Sequence, residues 1–401
     1  MKKLLLAVLA VLSMNTYAQD LDVVGGYFPY WRSTQNIKFE NYNYLYYAFV
    51  YATPNGGVEF INNSEPNFQT FLSATNGLDS KRIISVGGTN IEVMANDPAA
   101  RVKFADSLRL FCRKHDLDGI DMDWEAINNT TDRDNFTSLV KEIRNNIDST
   151  DLEFVITVGF GNYWLQWYEN DALDQADFLQ IMIYDQTGTW AGSPYGSHAS
   201  MDHFKAAETY WVGRGYPRSK LAMGLPYYGY KFQDATGGLA EAVTYADIMQ
   251  QFPNALPSDN LLIDGTGHYF FNGADLIQEK TQYAIDNGFK GVFVWELAQD
   301  DYNHPLSLDR ALTTTGTLTV IEGDYNKEQF VISPNPANDY FNVKSIEGVE
   351  SIILLDVNGR MLKNITPNIN IDISELAKGI YFVNYSNKKN QLIGTEKLVI
   401  K

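Results

Sequence analysis

The sequence predicts a (β/α)₈ barrel followed by a small all-β sandwich, and three observations carry that expectation. From residue 20 to about 300, short segments rich in β-branched and aromatic residues alternate with longer stretches whose apolar residues recur three or four apart. Eight such strand–helix units in about 280 residues suit a closed parallel barrel. After Asp300 the pattern changes, and short strand-like segments with turn signals fill the last ~75 residues.

Taken in order, Lys2 and Lys3 precede the apolar run Leu4 to Leu12, and Thr16-Tyr17-Ala18 suits cleavage after Ala18. Residues 1–18 therefore read as a signal peptide. The apolar run is too short to span a bilayer, and no later stretch is long enough, so no transmembrane segment is expected. The barrel strands are expected at Val23 to Phe28, Leu45 to Val50, Arg82 to Val86, Gly119 to Trp124, Phe154 to Gly159, Phe178 to Tyr184, Leu221 to Leu225 and Gly291 to Trp295. Helices are expected at Asp97 to His115, Asp132 to Ile147, Met201 to Arg214 and Gly273 to Asn287, and Leu306 to Leu312 closes the last of the series. The barrel thus occupies residues 20–314, a linker 315–327, and the sandwich 328–401. Sandwich strands are expected at Tyr340 to Val343, Ser351 to Asp356, Ile369 to Ile373, Ile380 to Asn384 and Glu396 to Ile400, with turns at Asn358-Gly359 and Lys378-Gly379.

A formal charge of −18, which becomes −20 once Lys2 and Lys3 are removed, repels nucleic acid and anionic lipid and favours a neutral or cationic partner. The single cysteine, Cys112, cannot form an internal disulfide, and its neighbours Leu108, Phe111 and His115 mark it as a core residue. The five histidines, at 115, 198, 203, 268 and 304, show no metal-ligand spacing, so neither a catalytic metal nor a cofactor is expected.

The chemistry concentrates in Asp118-Gly-Ile-Asp121-Met-Asp123-Trp-Glu125. Along a strand alternate side chains share a face, so Asp121, Asp123 and Glu125 point into the barrel while Ile120, Met122 and Trp124 point away. Neighbours on that face sit about 6 to 7 Å apart, close enough for each charge to oppose ionisation of the next. Glu125 lies at the carboxyl end of the strand, where such barrels build their sites, and a raised pKa there makes it a candidate general acid. A calcium site would need turn residues around the acids; strict interleaving with apolar residues argues for a buried strand instead.

This run resembles the Asp-x-x-Asp-x-Asp-x-Glu signature of glycoside hydrolase family 18, the chitinases and their relatives. Ser85-Val86-Gly87-Gly88 is similar to the family's strand-three motif, Met182-Ile183-Tyr184-Asp185 to that of strand six, and Gly224-Leu225-Pro226-Tyr227-Tyr228-Gly229 to that of strand seven; Gly26-Tyr27-Phe28 and Trp295 match on strands one and eight. The resemblance implies hydrolysis of β-1,4-linked N-acetylglucosamine polymers, with retention, in which the substrate's own 2-acetamido oxygen is the nucleophile. It gives Glu125 the role of acid and then base, Asp123 that of orienting the acetamido N–H, Asp121 that of sharing a proton with Asp123, and Tyr184 that of donating to the acetamido oxygen. Asp185, Trp295, Trp190, Tyr27 and Tyr228 are the implied substrate contacts, with Trp295 stacked under the sugar. Ser85 and Tyr27 support Asp121, Gly87 and Gly88 shape the third strand's end, and Asp118, at the opposite parity, is structural.

Trp31, Trp164 and Trp167 also follow strand ends and are further groove candidates. Two departures concern subsites: Tyr230 stands where the family has arginine, and Val292 where it has glycine. Residues 231–287 are shorter than the α+β insertion that walls a deep cleft in many chitinases, which implies a shallower groove and internal cleavage.

Residues 328–401 resemble the C-terminal sorting domain of type IX secretion cargo, through Ser333-Pro-Asn-Pro336, Leu354-Leu355-Asp356-Val-Asn-Gly359, Leu376-Ala-Lys-Gly379-Ile380-Tyr381 and Lys397-Leu-Val-Ile-Lys401. The implied partners are a chitin-type glycan and the outer-membrane secretion machinery, and the implied location is outside the cell or on its surface. Two other functions compete: an endo-β-N-acetylglucosaminidase acting on N-glycans, against which Met182 and the context of Trp124 and Trp190 tilt, and a non-catalytic chitin-binding lectin, against which the presence of Glu125 tilts.

Overall fold

In the computed structural model, β1 (Val23–Pro29), β2 (Tyr44–Ala52), β3 (Lys81–Gly87), β4 (Gly119–Asp123), β5 (Glu153–Gly159), β6 (Phe178–Met182), β7 (Leu221–Pro226) and β8 (Gly291–Trp295) pair in parallel in sequence order. β1 pairs with both β2 and β8, so the sheet closes and the barrel has no edge. The structure describes residues 21–315 apart from 89, 126 and 161–164, together with 332–343, 349–355, 361–366, 370–386 and 392–401. The signal peptide, Trp164, the Asn358-Gly359 turn and residues 316–327 of the linker lie outside the described residues.

The alternation that predicts the strands also explains their burial. Outward residues such as Val24, Phe28, Tyr47, Ile84, Val86, Ile120, Met122, Ile156 and Ile181 pack in one cluster with the surrounding helices. Inward residues, among them Val23, Tyr27, Tyr46, Ile83, Val155, Phe178, Ala222 and Phe293, fill the barrel. A parallel sheet covered on both faces needs both sets apolar. The inward exceptions Ser85, Asp121, Asp123, Thr157 and Gln180 are buried polar groups gathered in the barrel interior.

Helix starts follow their capping residues. Asp97 accepts from the Ala99 N–H to open Pro98–His115, Asn129 accepts from the Asp132 N–H to open Thr130–Ile147, and Ser200 with His203 forms a capping box at the start of Met201–Gly213. Cys112 is fully buried in the first of these, where burial pushes its thiol up to about 12.

Between β7 and β8 the chain, read there as shorter than a cleft-walling α+β insertion, folds into a small α+β unit of its own. Its antiparallel sheet has Tyr228–Phe232 paired with Glu241–Thr244 on one side and Gly267–Phe270 on the other, Leu261–Asp264 at the edge, and the helix Tyr245–Gln251 beside it. Tyr228, Tyr230 and Phe232 alternate along one strand and are buried, which is what anchors so short a unit.

The chain divides into two compact units, one ending at Leu318 and one beginning at Thr319. In the second, Ile332–Ser333, Tyr340–Val343 and Asn370–Asp372 form one antiparallel sheet, and Met361–Ile365, Ser351–Leu355, Gly379–Ser386 and Leu392–Ile400 form another. Phe341, Ile352, Leu354, Ile371, Val383, Tyr385 and Leu398 share its core. Asn335 ties the Ser-Pro-Asn-Pro stretch to the final strand, its Nδ2 donating to the Lys397 carbonyl at 2.6 Å and its Oδ1 accepting from the Val399 N–H at 2.9 Å. The strands Ile332–Ser333 and Met361–Ile365 are additional to those predicted.

Candidate active site

The acids of β4 climb from the sealed interior of the barrel to its mouth: Asp121 is 0% exposed, Asp123 5%, and Glu125, two residues further, reaches solvent. On the opposite face Trp124 packs edge-on against Phe136, and its carbonyl accepts from the Tyr168 hydroxyl at 2.8 Å. The strand is thereby held so that only the acidic face meets the interior. Asp118 sits at the other end of the strand, where its Oδ2 accepts from the Arg82 backbone N–H at 2.7 Å.

Asp121 accepts three hydroxyl hydrogen bonds. Tyr27 and Ser85 donate to Oδ2 at 2.8 and 2.6 Å, and Thr157 donates to Oδ1 at 2.7 Å. Burial still pushes its carboxyl up to about 6, with the three donors pulling the other way. Asp123 has no such donors, and its buried Oδ1 has no hydrogen-bond partner. Burial first, then the charges of Glu125 and Asp121, raise it well above the aspartate range. Glu125 is also raised, by the protein packed around it and then by the charge of Asp185. The three carboxyls therefore hold protons into a range where isolated carboxylates have lost them, which is what a proton donor requires.

Tyr184 and Asp185 follow β6. Tyr184 is buried, and its phenol is held neutral by burial and by the surrounding acids, Asp123 first. Asp185 takes a left-handed conformation (φ 59°), in which its Oδ1 accepts from Tyr228 at 2.5 Å and Tyr230 at 2.8 Å, with His198 Nδ1 3.7 Å away. Burial would raise Asp185, but the His198 contact and the two phenols outweigh it and leave the carboxyl below its ordinary range.

Trp295, half-buried at the end of β8, packs against Tyr27 at 5.5 Å, Phe49 at 6.0 Å and Trp31 at 6.4 Å between ring centroids. Gly87 and Gly88 make room on this side: a Cβ on Gly87 would meet the Phe49 ring at 2.9 Å, and one on Gly88, whose φ is 78°, the Tyr51 ring at 2.2 Å. Trp31 and Trp190 are about half exposed, whereas Trp167 packs into the core.

Tyr27, expected both to support Asp121 and to contact substrate, is buried and donates to Asp121 from within the barrel; Tyr228, expected as a substrate contact, is buried and donates to Asp185. Sequence reasoning missed Thr157, Gln180 and His198 as site residues, and it singled out Tyr230 only as a departure at a subsite. Gln180 donates to the Tyr27 hydroxyl at 3.1 Å, and Gln180 and Thr157 could have been singled out as polar residues at inward positions of apolar strands.

The model of the glycosyl hydrolases family 18 matches residues 23–300, and that of the secretion system C-terminal sorting domain matches residues 331–401. A class V chitinase of Lotus japonicus is 25% identical over 334 residues, covering 69% of this chain and 83% of that protein. A probable chitinase of Drosophila melanogaster is 25% identical over 276 residues, and the chain spans 56% of its length. Among solved structures, the chitinase ChiB from the chitin utilization locus of Flavobacterium johnsoniae is 25% identical with a TM-score of 0.63, covering 74% of this chain and 94% of that one. A chitinase-like agglutinin from Robinia pseudoacacia is 25% identical with the same TM-score, 0.63, covering 74% of this chain and all of its own. A closed eight-stranded barrel carrying the acid triad on β4, matched by the family model across 23–300, makes this chain a member of glycosyl hydrolase family 18 that also bears a C-terminal secretion sorting domain.

Proposed function

We propose that this protein is an exported chitinase that hydrolyses β-1,4-linked N-acetylglucosamine chains with retention, the substrate's 2-acetamido oxygen serving as nucleophile. The observation that carries the reading is Asp123, a buried carboxyl with a bare oxygen on the same strand face as Glu125. An unpaired buried acceptor is costly unless a ligand satisfies it, and an amide N–H is the donor such an oxygen fits.

Glu125 gives its proton to the glycosidic oxygen as the bond to C1 breaks and the acetamido oxygen closes onto C1. Asp123 holds the acetamido N–H and faces the positive charge that develops there, while the neutral Tyr184 phenol donates to the acetamido oxygen. Water then attacks C1, its proton passes to the Glu125 carboxylate, and the acetamido group is released. Trp295 supplies an aromatic face under the reacting sugar, and Asp185 meets the sugar at the rim.

The similarity to an agglutinin supports a second reading, a chitin-binding lectin. Incubation with colloidal chitin and with a high-mannose glycoprotein separates the possibilities. Soluble N-acetylglucosamine oligomers from chitin support the chitinase, release of intact N-glycans an endo-β-N-acetylglucosaminidase, and retention on chitin with neither product the lectin.

The sorting domain implies export by the type IX route to the cell surface or beyond. We further read residues 1–18 as the signal peptide, 20–314 as the catalytic barrel, 315–327 as a linker, and 328–401 as the part that engages the outer-membrane machinery. Among the described residues no helix is long and apolar enough to cross a membrane. A periplasmic reporter fused to residues 328–401 is expected to reach the surface or the medium; its retention in the periplasm would overturn this assignment.

A further inference from the structure

Asp121 lies at the closed end of the acid triad, and its hydrogen bonds come from three different strands. Both Tyr27, on β1, and Ser85, on β3, donate to Oδ2. The other oxygen, Oδ1, receives a hydrogen from Thr157 on β5 at 2.7 Å. The Tyr27 hydroxyl has a single hydrogen; with that hydrogen on Asp121, Tyr27 accepts from Gln180 Nε2 at 3.1 Å. The Tyr27 and Thr157 hydroxyls also lie 2.9 Å apart, and with the single hydrogen of each placed on Asp121, the chain Gln180 to Tyr27 to Asp121, with Ser85 and Thr157, points toward this carboxyl. Asp123, two residues on, has an unpartnered buried oxygen.

The titratable groups around Asp121 are all acids. Tyr27 faces it from β1, Tyr46 from β2, Asp123 from its own strand and Tyr184 from beyond β6, with Glu125 behind Asp123. β3 and β5 meet it with the hydroxyls of Ser85 and Thr157. Among the described residues no cation is paired with it, so neutral hydroxyls alone favour its charge.

We propose that Thr157 is a positioning residue for hydrolysis: by donating to Oδ1, opposite Tyr27 and Ser85 on Oδ2, it keeps Asp121 the carboxylate of the triad and leaves the resting proton on Asp123. The proposal rests on the reading of the site given above. During the reaction Asp123 must become anionic to face the charge on the acetamido nitrogen, and it does so by passing its proton to Asp121. That transfer is open only while Asp121 is unprotonated at rest. Asp121 is already pushed up to about 6 by burial, so the loss of one of its donors falls within the working pH range.

The test uses the full chain and an N-acetylchitooligosaccharide substrate, comparing the parent with Thr157→Val, Thr157→Ala and Thr157→Ser. The acidic limb of kcat/KM is expected to move up by about one pH unit in the valine and alanine variants, because a hydrogen bond to a charged group has been lost. The serine variant keeps the hydroxyl and should restore the parent limb. At pH 8 the valine variant should turn over within about threefold of the parent, since Asp121 is then ionised in both. A valine or alanine variant that folds and keeps the parent limb overturns the role of Thr157. If the parent itself turns over no substrate, the reading of the site fails instead; infrared titration of the buried carboxyls in parent and Thr157→Val still reads the shift directly, and equal titrations there overturn the proposal.

Discussion

The floor and the rim of the site each hold an aspartate bonded to tyrosine, and their carboxyls are shifted in opposite directions. Asp121, at the floor, accepts three hydroxyls between 2.6 and 2.8 Å and is nevertheless pushed up to about 6. Asp185, at the rim, accepts two phenols on one oxygen, has His198 beside it and a half-exposed side chain, and lies below the ordinary aspartate range. Donors of similar kind give opposite outcomes because complete burial outweighs three of them, whereas partial hydration and a histidine tip the balance for two. The floor is thereby suited to exchange a proton, and the rim to stay anionic and raise Glu125.

Removing the rim charge should have the largest effect on this contrast. In Asp185→Asn the charge that adds to burial in raising Glu125 is gone, so Glu125 loses its proton at a lower pH and the alkaline limb of the rate profile moves down. An unmoved or rising limb would show that the rim charge does not act on the acid. Thr157→Val sharpens the other side of the comparison, with an acidic limb moved up and the alkaline one closer to the parent's.

The smallest effect concerns a carboxyl away from the acid triad that is governed mainly by burial. Asp309 is nearly sealed, has one oxygen without a partner, accepts from Asn41 at 2.8 Å on the other, and is pushed up to about 7, mainly by burial. Between an unfolded value of about 4 and that folded value, the folded chain holds a proton the unfolded chain has released. Its contribution to stability is therefore full below about pH 4 and falls as pH rises toward 7, by at most about 4 kcal/mol. Asp309→Asn should flatten that slope by a few degrees in Tm between pH 5 and 7, read by calorimetry. An unchanged slope would mean that burial does not dominate there.

Most of the fold was legible because alternation and helical periodicity are local: all eight barrel strands and the four helices expected between them lie within about two residues of their expected bounds. The acid triad was legible for the same reason, its members being neighbours on one strand. What escaped lies across strands. The support of Asp121 by Tyr27 and Ser85 came from the resemblance, but Thr157, which meets Tyr27 from 130 residues away and donates to Asp121, comes into place only once β1 meets β8 and the barrel closes. Closure also explains why Tyr27, read as a substrate contact, is buried, and Tyr228 follows suit because the insertion between β7 and β8 forms a sheet of its own. The pairing of Tyr230 with Asp185 depends on that sheet, and nothing in the spacing of the two residues announces it.

The role of Glu125 as the proton donor of a chitin-hydrolysing site is read by incubating parent and Glu125→Gln with colloidal chitin while measuring released oligomers and bound protein. Soluble N-acetylglucosamine oligomers are expected from the parent, and from the variant a loss of about a thousandfold with chitin binding retained, because the amide keeps the shape and lacks the transferable proton. Turnover by the variant within tenfold of the parent would contradict it.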